Sequence, residues 1–293
     1  GAWQVAGFWG LFTLTLISIT ALLAIGWVLA VQLGARPLPG LAGMLVASAA
    51  AFPMLSLRAT TVIQTLLMAA VWFGWWAGPR LASRSPAMAG LIVGAAGMLL
   101  STAGNWIHLS FVVMAAVVAG MWAIQWFTTA NASRSWRWTV TLAGTLGLAG
   151  GVLTTPYGLA ETLRQSSRTK AICEGLIGEW AAIWQVHPIW LARGAIGLSI
   201  VAFAMARLWR YWPDRRASDF FRIIGPITAA AAPLAIAGLF MIRFLGVSLL
   251  LMLPVFAIAA TQAVNAAQRK VRSASRGFWA SHRAHEYTDS RLW

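Results

Sequence analysis

The chain has 293 residues, of which 59% are hydrophobic and only 10% charged, and its mean hydropathy is +0.72. An average soluble domain has about 25% charged residues to wet its surface, so this composition excludes a soluble globular protein and makes bilayer lipid the solvent for most of the chain. The single cysteine, Cys173, excludes an internal disulfide framework and a Cys-based zinc or iron–sulfur site, and the net charge of +15 reads as membrane topology rather than nucleic-acid binding.

The apolar stretches are about 18 to 25 residues long, without the ten-residue alternation of a barrel, and predict an all-α polytopic transmembrane helix bundle of about nine spans. The spans run in order from Val5 to Leu33, Leu38 to Leu57, and Thr60 to Gly78. The stretch from Ala87 to Phe127 is too long for one crossing at 1.5 Å per residue and divides at its one polar knot, Asn105-Trp106-Ile107-His108. Thr139 to Thr155 follows, then a more polar segment, then Ile189 to Leu208, Ile223 to Ile242 and Phe244 to Val264. Residues 1–264 thus form the transmembrane domain, and 265–293 a basic tail. Gly1 carries neither an initiator methionine nor a signal-peptide pattern, so the natural start is expected upstream.

The connections alternate in charge. One set holds Arg36; Arg80 and Arg84; Arg134 and Arg137; Arg207, Arg210, Arg215, Arg216 and Arg222; and six more basic residues in the tail, together sixteen of the 22. The other set holds only Arg58, Arg164, Arg168, Lys170, Arg193 and Arg243. The positive-inside bias makes the first set cytoplasmic, so the chain starts outside and ends inside. The solvated arginines of the inner side read as topology signals and as contacts to anionic membrane lipids.

The scarce polar residues near membrane depth fall at outward-facing ends: Arg58, Asn105 with His108, Tyr157, Glu174, Glu179, Arg193 and Arg243. Ionisable groups there cost several kcal/mol, so they pair, face a cavity or serve function. Residues 156–188 alternate apolar positions with Glu161, Arg164, Arg168, Lys170, Glu174 and Glu179, as extracytoplasmic interfacial helices do. Such a segment either shields a lipid-access groove or packs at the interface. Arg58 and Arg243 offer the planar fork suited to phosphate, against plain snorkelling to the headgroups. His108 suits a base or a sugar-hydroxyl partner, against a structural role. Trp180 and other outward tryptophans suit stacking on sugar rings. A divalent cation has no ligand cluster, since His187 stands without a second ligand at proper spacing, and Glu174 and Glu179 do not share a helical face. Gly90-xxx-Gly94 and Gly147-xxx-Gly151 permit close helix approach. Tryptophans at span ends (Trp72, Trp75, Trp76, Trp122, Trp126, Trp209, Trp212) match an aromatic belt.

Taken in order, Arg58, Asn105-x-x-His108 with Ser110-Phe111-Val112, Pro156-Tyr157-Gly158, Ile177-x-Glu179-Trp180 and Arg243-Phe244 resemble the GT-C-type glycosyltransferases, which include the protein O-mannosyltransferases and lipid A aminoarabinose transferases. The resemblance spans roughly Leu38 to Ala260. It implies sugar transfer from a polyprenyl-phosphate donor at the extracytoplasmic face. Arg58 and Arg243 would hold phosphate, and Asn105, His108, Tyr157, Glu174 and Trp180 would contact sugar or acceptor. Three departures stand out: no acidic residue precedes Glu161, the family's His-Glu-Trp element is absent, and Thr155 stands before Pro156 where the family has Asn. The family's catalytic carboxylate loop would then lie upstream of Gly1, or Glu179 takes its place as base. The alternative is a non-catalytic integral-membrane subunit that holds other membrane subunits of a larger complex. A transporter is disfavoured because the charges sit at the rims rather than mid-span.

Overall fold

The structure is a computed structural model that describes residues 2–51, 59–107, 111–154, 164, 188–213, 218–240 and 242–289; side chains are described for fewer, up to residue 273. The regular structure among these residues is entirely helical: α1 (Ala2–Gln32), α2 (Pro37–Ala50), α3 (Ala59–Ala82), α4 (Pro86–Ile107), α5 (Phe111–Phe127), α6 (Arg134–Leu153), α7 (Ile189–Arg210), α8 (Asp219–Phe240), α9 (Ile242–Leu251) and α10 (Leu253–Asp289). The polar knot at Asn105 does divide two helices, α4 and α5.

Local chemistry sets the turns. Gly34 ends α1 at φ +83°, a conformation open to glycine, and lets the N–H of Ala35 reach the carbonyl of Ala30 while its own reaches Val31. Pro37 then opens α2, where a missing N–H costs nothing. Ser85 and Ser133 cap α4 and α6, accepting from the N–H groups of Met88 at 3.3 Å and Trp136 at 3.1 Å.

Five helices among the described residues are long and apolar enough to cross a membrane: Gly7–Gln32, Thr61–Ala82, Pro86–Ile107, Ile189–Arg210 and Asp219–Phe240. Phe244–Leu251 with Leu253–Ser273 makes a sixth if the bent pair is one span. Composition alone predicts about nine at the roughly 20-residue standard of a bilayer; α2 and α5 fall short in length, and α6 opens on Arg134 and Arg137. Leu91, Leu99, Leu142 and Leu146 are 60–73% exposed on α4 and α6, a surface suited to lipid.

The last span differs most from its pattern. The apolar run from Phe244 to Val264 reads as continuous, yet it bends by 57° at Met252. Pro254 has no N–H for the carbonyl of Leu250, and the N–H groups of Val255 and Phe256 both turn to Met252, at 2.9 and 3.0 Å. The bend lies inside the bundle, with Leu249 to Ile258 buried on every side.

Contacts fix the helix directions. α4 and α6 run parallel, Gly94 against Gly147 and Thr102 hydrogen-bonded to Thr154 at 3.0 Å. α3 and α5 run parallel, with the Trp122 indole donating to Ala70 at 2.9 Å and Gly78 lying near Thr129. α8 and α9 form an antiparallel hairpin, and α2 runs antiparallel to α10. These directions gather Arg36, Arg80, Arg84, Arg134, Arg137, Arg207, Arg210 and Arg222 at one end of the bundle. The C-terminus of α4 and the N-termini of α7 and α9 lie at the other.

Candidate functional site

The end opposite the arginines carries what the structure describes of the expected site. Asn105 closes α4 with its side chain 3% exposed. Its amide donates to the Ser101 hydroxyl at 3.4 Å, and Oδ1 has no partner among the described residues. A buried carbonyl oxygen left open costs about 1–3 kcal/mol, so a donor from a ligand or water suits this position. Arg193, in the first turns of α7, lays its guanidinium 4.5 Å from the Trp190 ring centroid. Arg243 is the second residue of α9, with its side chain outside the described set. Arg58, His108, Tyr157, Glu174, Glu179 and Trp180 lie outside the described residues. The helices thus bring the positions of Asn105, Arg193 and Arg243 to one end of the bundle.

Toward that end an apolar groove of about 370 Å³ opens between α5 and α8. Val117, Met121 and Ile124 form one wall, Pro233 and Leu234 the other, and Phe244, one residue beyond Arg243, lines it too. Gly120 faces it with nothing within 4 Å of where a Cβ would stand. Pro233 withholds the helical N–H from the carbonyl of Ala229, another lining residue. The groove's lining residues are apolar throughout, as a hydrocarbon chain requires.

The basic end holds a polar hub that sequence pattern misses. Arg222 reads as one more solvated loop cation, but its side chain is buried, 8% exposed, in the first turn of α8. Its Nη2 donates to the Trp75 carbonyl at 2.9 Å and its Nη1 to Asp219 at 3.2 Å. Trp75 needs that donor because the residue four ahead is Pro79, which has no N–H. The same relation recurs one helix over. Pro226 leaves the Arg222 carbonyl without its helical partner, and the buried Gln125 amide donates to it at 3.3 Å and to Val71 at 2.8 Å. Lipid offers no replacement donors, so neighbouring helices supply them. Two tryptophans assigned to the belt by position are core residues instead: Trp122 and Trp126 are 2% and 0% exposed. Trp76, Trp209 and Trp212 are exposed, as a belt requires.

Among the described residues no group of three or more His, Cys, Asp or Glu stands together as a metal site would require. The chain matches no family model, no curated protein and no solved structure.

Proposed function

We propose that the protein is a membrane transferase that moves a sugar from a polyprenyl-phosphate donor at the extracytoplasmic face of a bacterial cytoplasmic membrane. The groove carries this reading: an apolar slot between α5 and α8 that runs from Ile124 to Phe244, the neighbour of Arg243 at the end away from the arginine-rich loops. The donor's hydrocarbon chain lies between α5 and α8, its phosphate meets Arg243 with Arg58, and its sugar reaches Asn105 and His108. Tyr157, Glu174 and Trp180 hold sugar or acceptor, and Glu179 removes the proton from the acceptor hydroxyl. General-base assistance of this kind contributes about 10²–10⁴-fold.

The test is transfer of radiolabelled sugar from polyprenyl-phosphate donors by the full-length protein in proteoliposomes. Glu179→Gln is expected to lower turnover by about 10²-fold or more. Gly120→Phe, which fills the groove from a position with open space, is expected to raise the donor KM at little cost to the fold. Wild-type turnover and KM in both variants would remove the groove and Glu179 from the reaction. The absence of any acidic residue before Glu161 favours a second reading, a non-catalytic subunit of a larger complex. Stoichiometric partner chains after mild detergent extraction, with no transfer activity, would establish it.

A further inference from the structure

The last helix leaves the bundle and keeps going. α10 starts at the buried bend, and Thr261, 4% exposed, accepts at its hydroxyl from the Arg36 N–H at 3.1 Å. The Arg36 guanidinium donates to the side-chain Oε1 of Gln268 at 3.1 Å, next to the loop between α1 and α2. From Thr261 to Asp289 the helix extends about 42 Å further at 1.5 Å per residue.

Its residues sort by face. At 100° per residue, Val264, Ala267, Val271, Ala274 and Phe278 fall on one stripe, and Arg269, Lys270, Arg272, Arg276 and Arg283 fall on the remaining arc. Val271 is 69% exposed and Val264 37%, so the protein leaves the described part of this stripe uncovered. Residues 265–293 hold six Lys or Arg against Glu286 and Asp289. A second copy packed on this stripe would leave both basic arcs facing away without a partner, whereas an anionic surface answers stripe and charge together. Meanwhile the level of the bilayer surface is marked at this end of the bundle. Trp209 and Trp212 are 83% and 55% exposed there, and Arg80 lies 4.5 Å over the Trp76 ring.

We infer that residues 264–283 form a surface-binding helix whose apolar stripe enters the headgroup region of the leaflet at the arginine-rich end, and whose basic face selects anionic lipid. Apolar stripe, basic arc and a root tied at headgroup level are the combination that holds a helix in an interface. The inference does not depend on the transferase reading.

Spin labels on the full chain test it. In a Cys173→Ser background, labels at Val271→Cys and Phe278→Cys are compared in phosphatidylcholine vesicles with and without phosphatidylglycerol. With the anionic lipid, both labels are expected to gain oxygen collisions and lose access to a water-soluble nickel chelate several-fold. Lys270→Glu with Arg272→Glu is expected to reverse the change, as is high salt. Labels that stay accessible to the chelate in both vesicles would overturn the inference. So would spin–spin broadening between copies, or immobilisation with access to neither reagent, which mark a second copy or a protein partner.

Discussion

At the residue scale, the informative features are the prolines and what replaces the hydrogen bonds they remove. Trp75 and Arg222 each present a carbonyl whose helical donor is a proline, and each is answered from another helix. Leaving a buried acceptor open costs about 1–3 kcal/mol, and Arg222→Met is expected to lower stability by that amount in detergent-solubilised protein. Pro79→Ala restores an N–H beneath the Trp75 carbonyl. In the Arg222→Met background it should therefore recover part of the loss, while changing the parent far less. Thermal unfolding of the four proteins checks this; equal shifts from Pro79→Ala in both backgrounds would show that the arginine does not answer that carbonyl. Arg222 also shows what charge counting cannot reach. Its place in a basic connection was legible, but the positive-inside bias registers a charge and not its partner. The prolines at 79 and 226 are visible in the sequence as freed acceptors; which side chain arrives to meet them is set by tertiary packing.

At the element scale, the glycines divide into those the fold uses and those it does not. A Cβ on Gly147 would run into the backbone of Gly94, and one on Gly151 would stand 2.6 Å from the Met98 carbonyl oxygen. Gly150, on the same helix, has nothing within 4 Å. Gly147→Ala is expected to destabilise by about 1–3 kcal/mol through forced separation of α4 and α6. Gly150→Ala is expected to be neutral or stabilising by up to about 1 kcal/mol, the helix preference of alanine over glycine. Unfolding midpoints in the same detergent decide the order, and a reversed order would contradict the contact between these helices. Here the sequence spacing was a good guide, because small-xxx-small repeats act through a helix's own geometry. The bend at Met252 was not legible in the same way: hydropathy scores Pro254 as one neutral residue in an apolar run and does not count the donor it deletes.

At the scale of the whole molecule, parallel and antiparallel pairs turn a one-dimensional alternation of charge into two ends of a bundle. Arg80 at the end of α3, Arg134 at the start of α6 and Arg207 at the end of α7 are far apart in sequence and share one end. The candidate site was legible only as a side. Asn105, Arg193 and Arg243 ride on helices whose directions follow from the alternation, whereas Glu174, Glu179 and Trp180 belong to a segment without a span pattern to place it. The orientation that both the charge bias and the transferase reading need is open to direct measurement. In a Cys173→Ser background, Pro188→Cys sits in an exposed turn at the site end and Ser83→Cys in an exposed turn at the arginine end. A membrane-impermeant maleimide applied to intact cells should label the first at once and the second only after permeabilisation. Labelling of both from outside would break the two-ended partition. Labelling of Ser83→Cys alone would invert the bundle, leaving Arg243 and the Phe244 end of the groove on the cytoplasmic side, where an outward-facing lipid-linked donor does not reach.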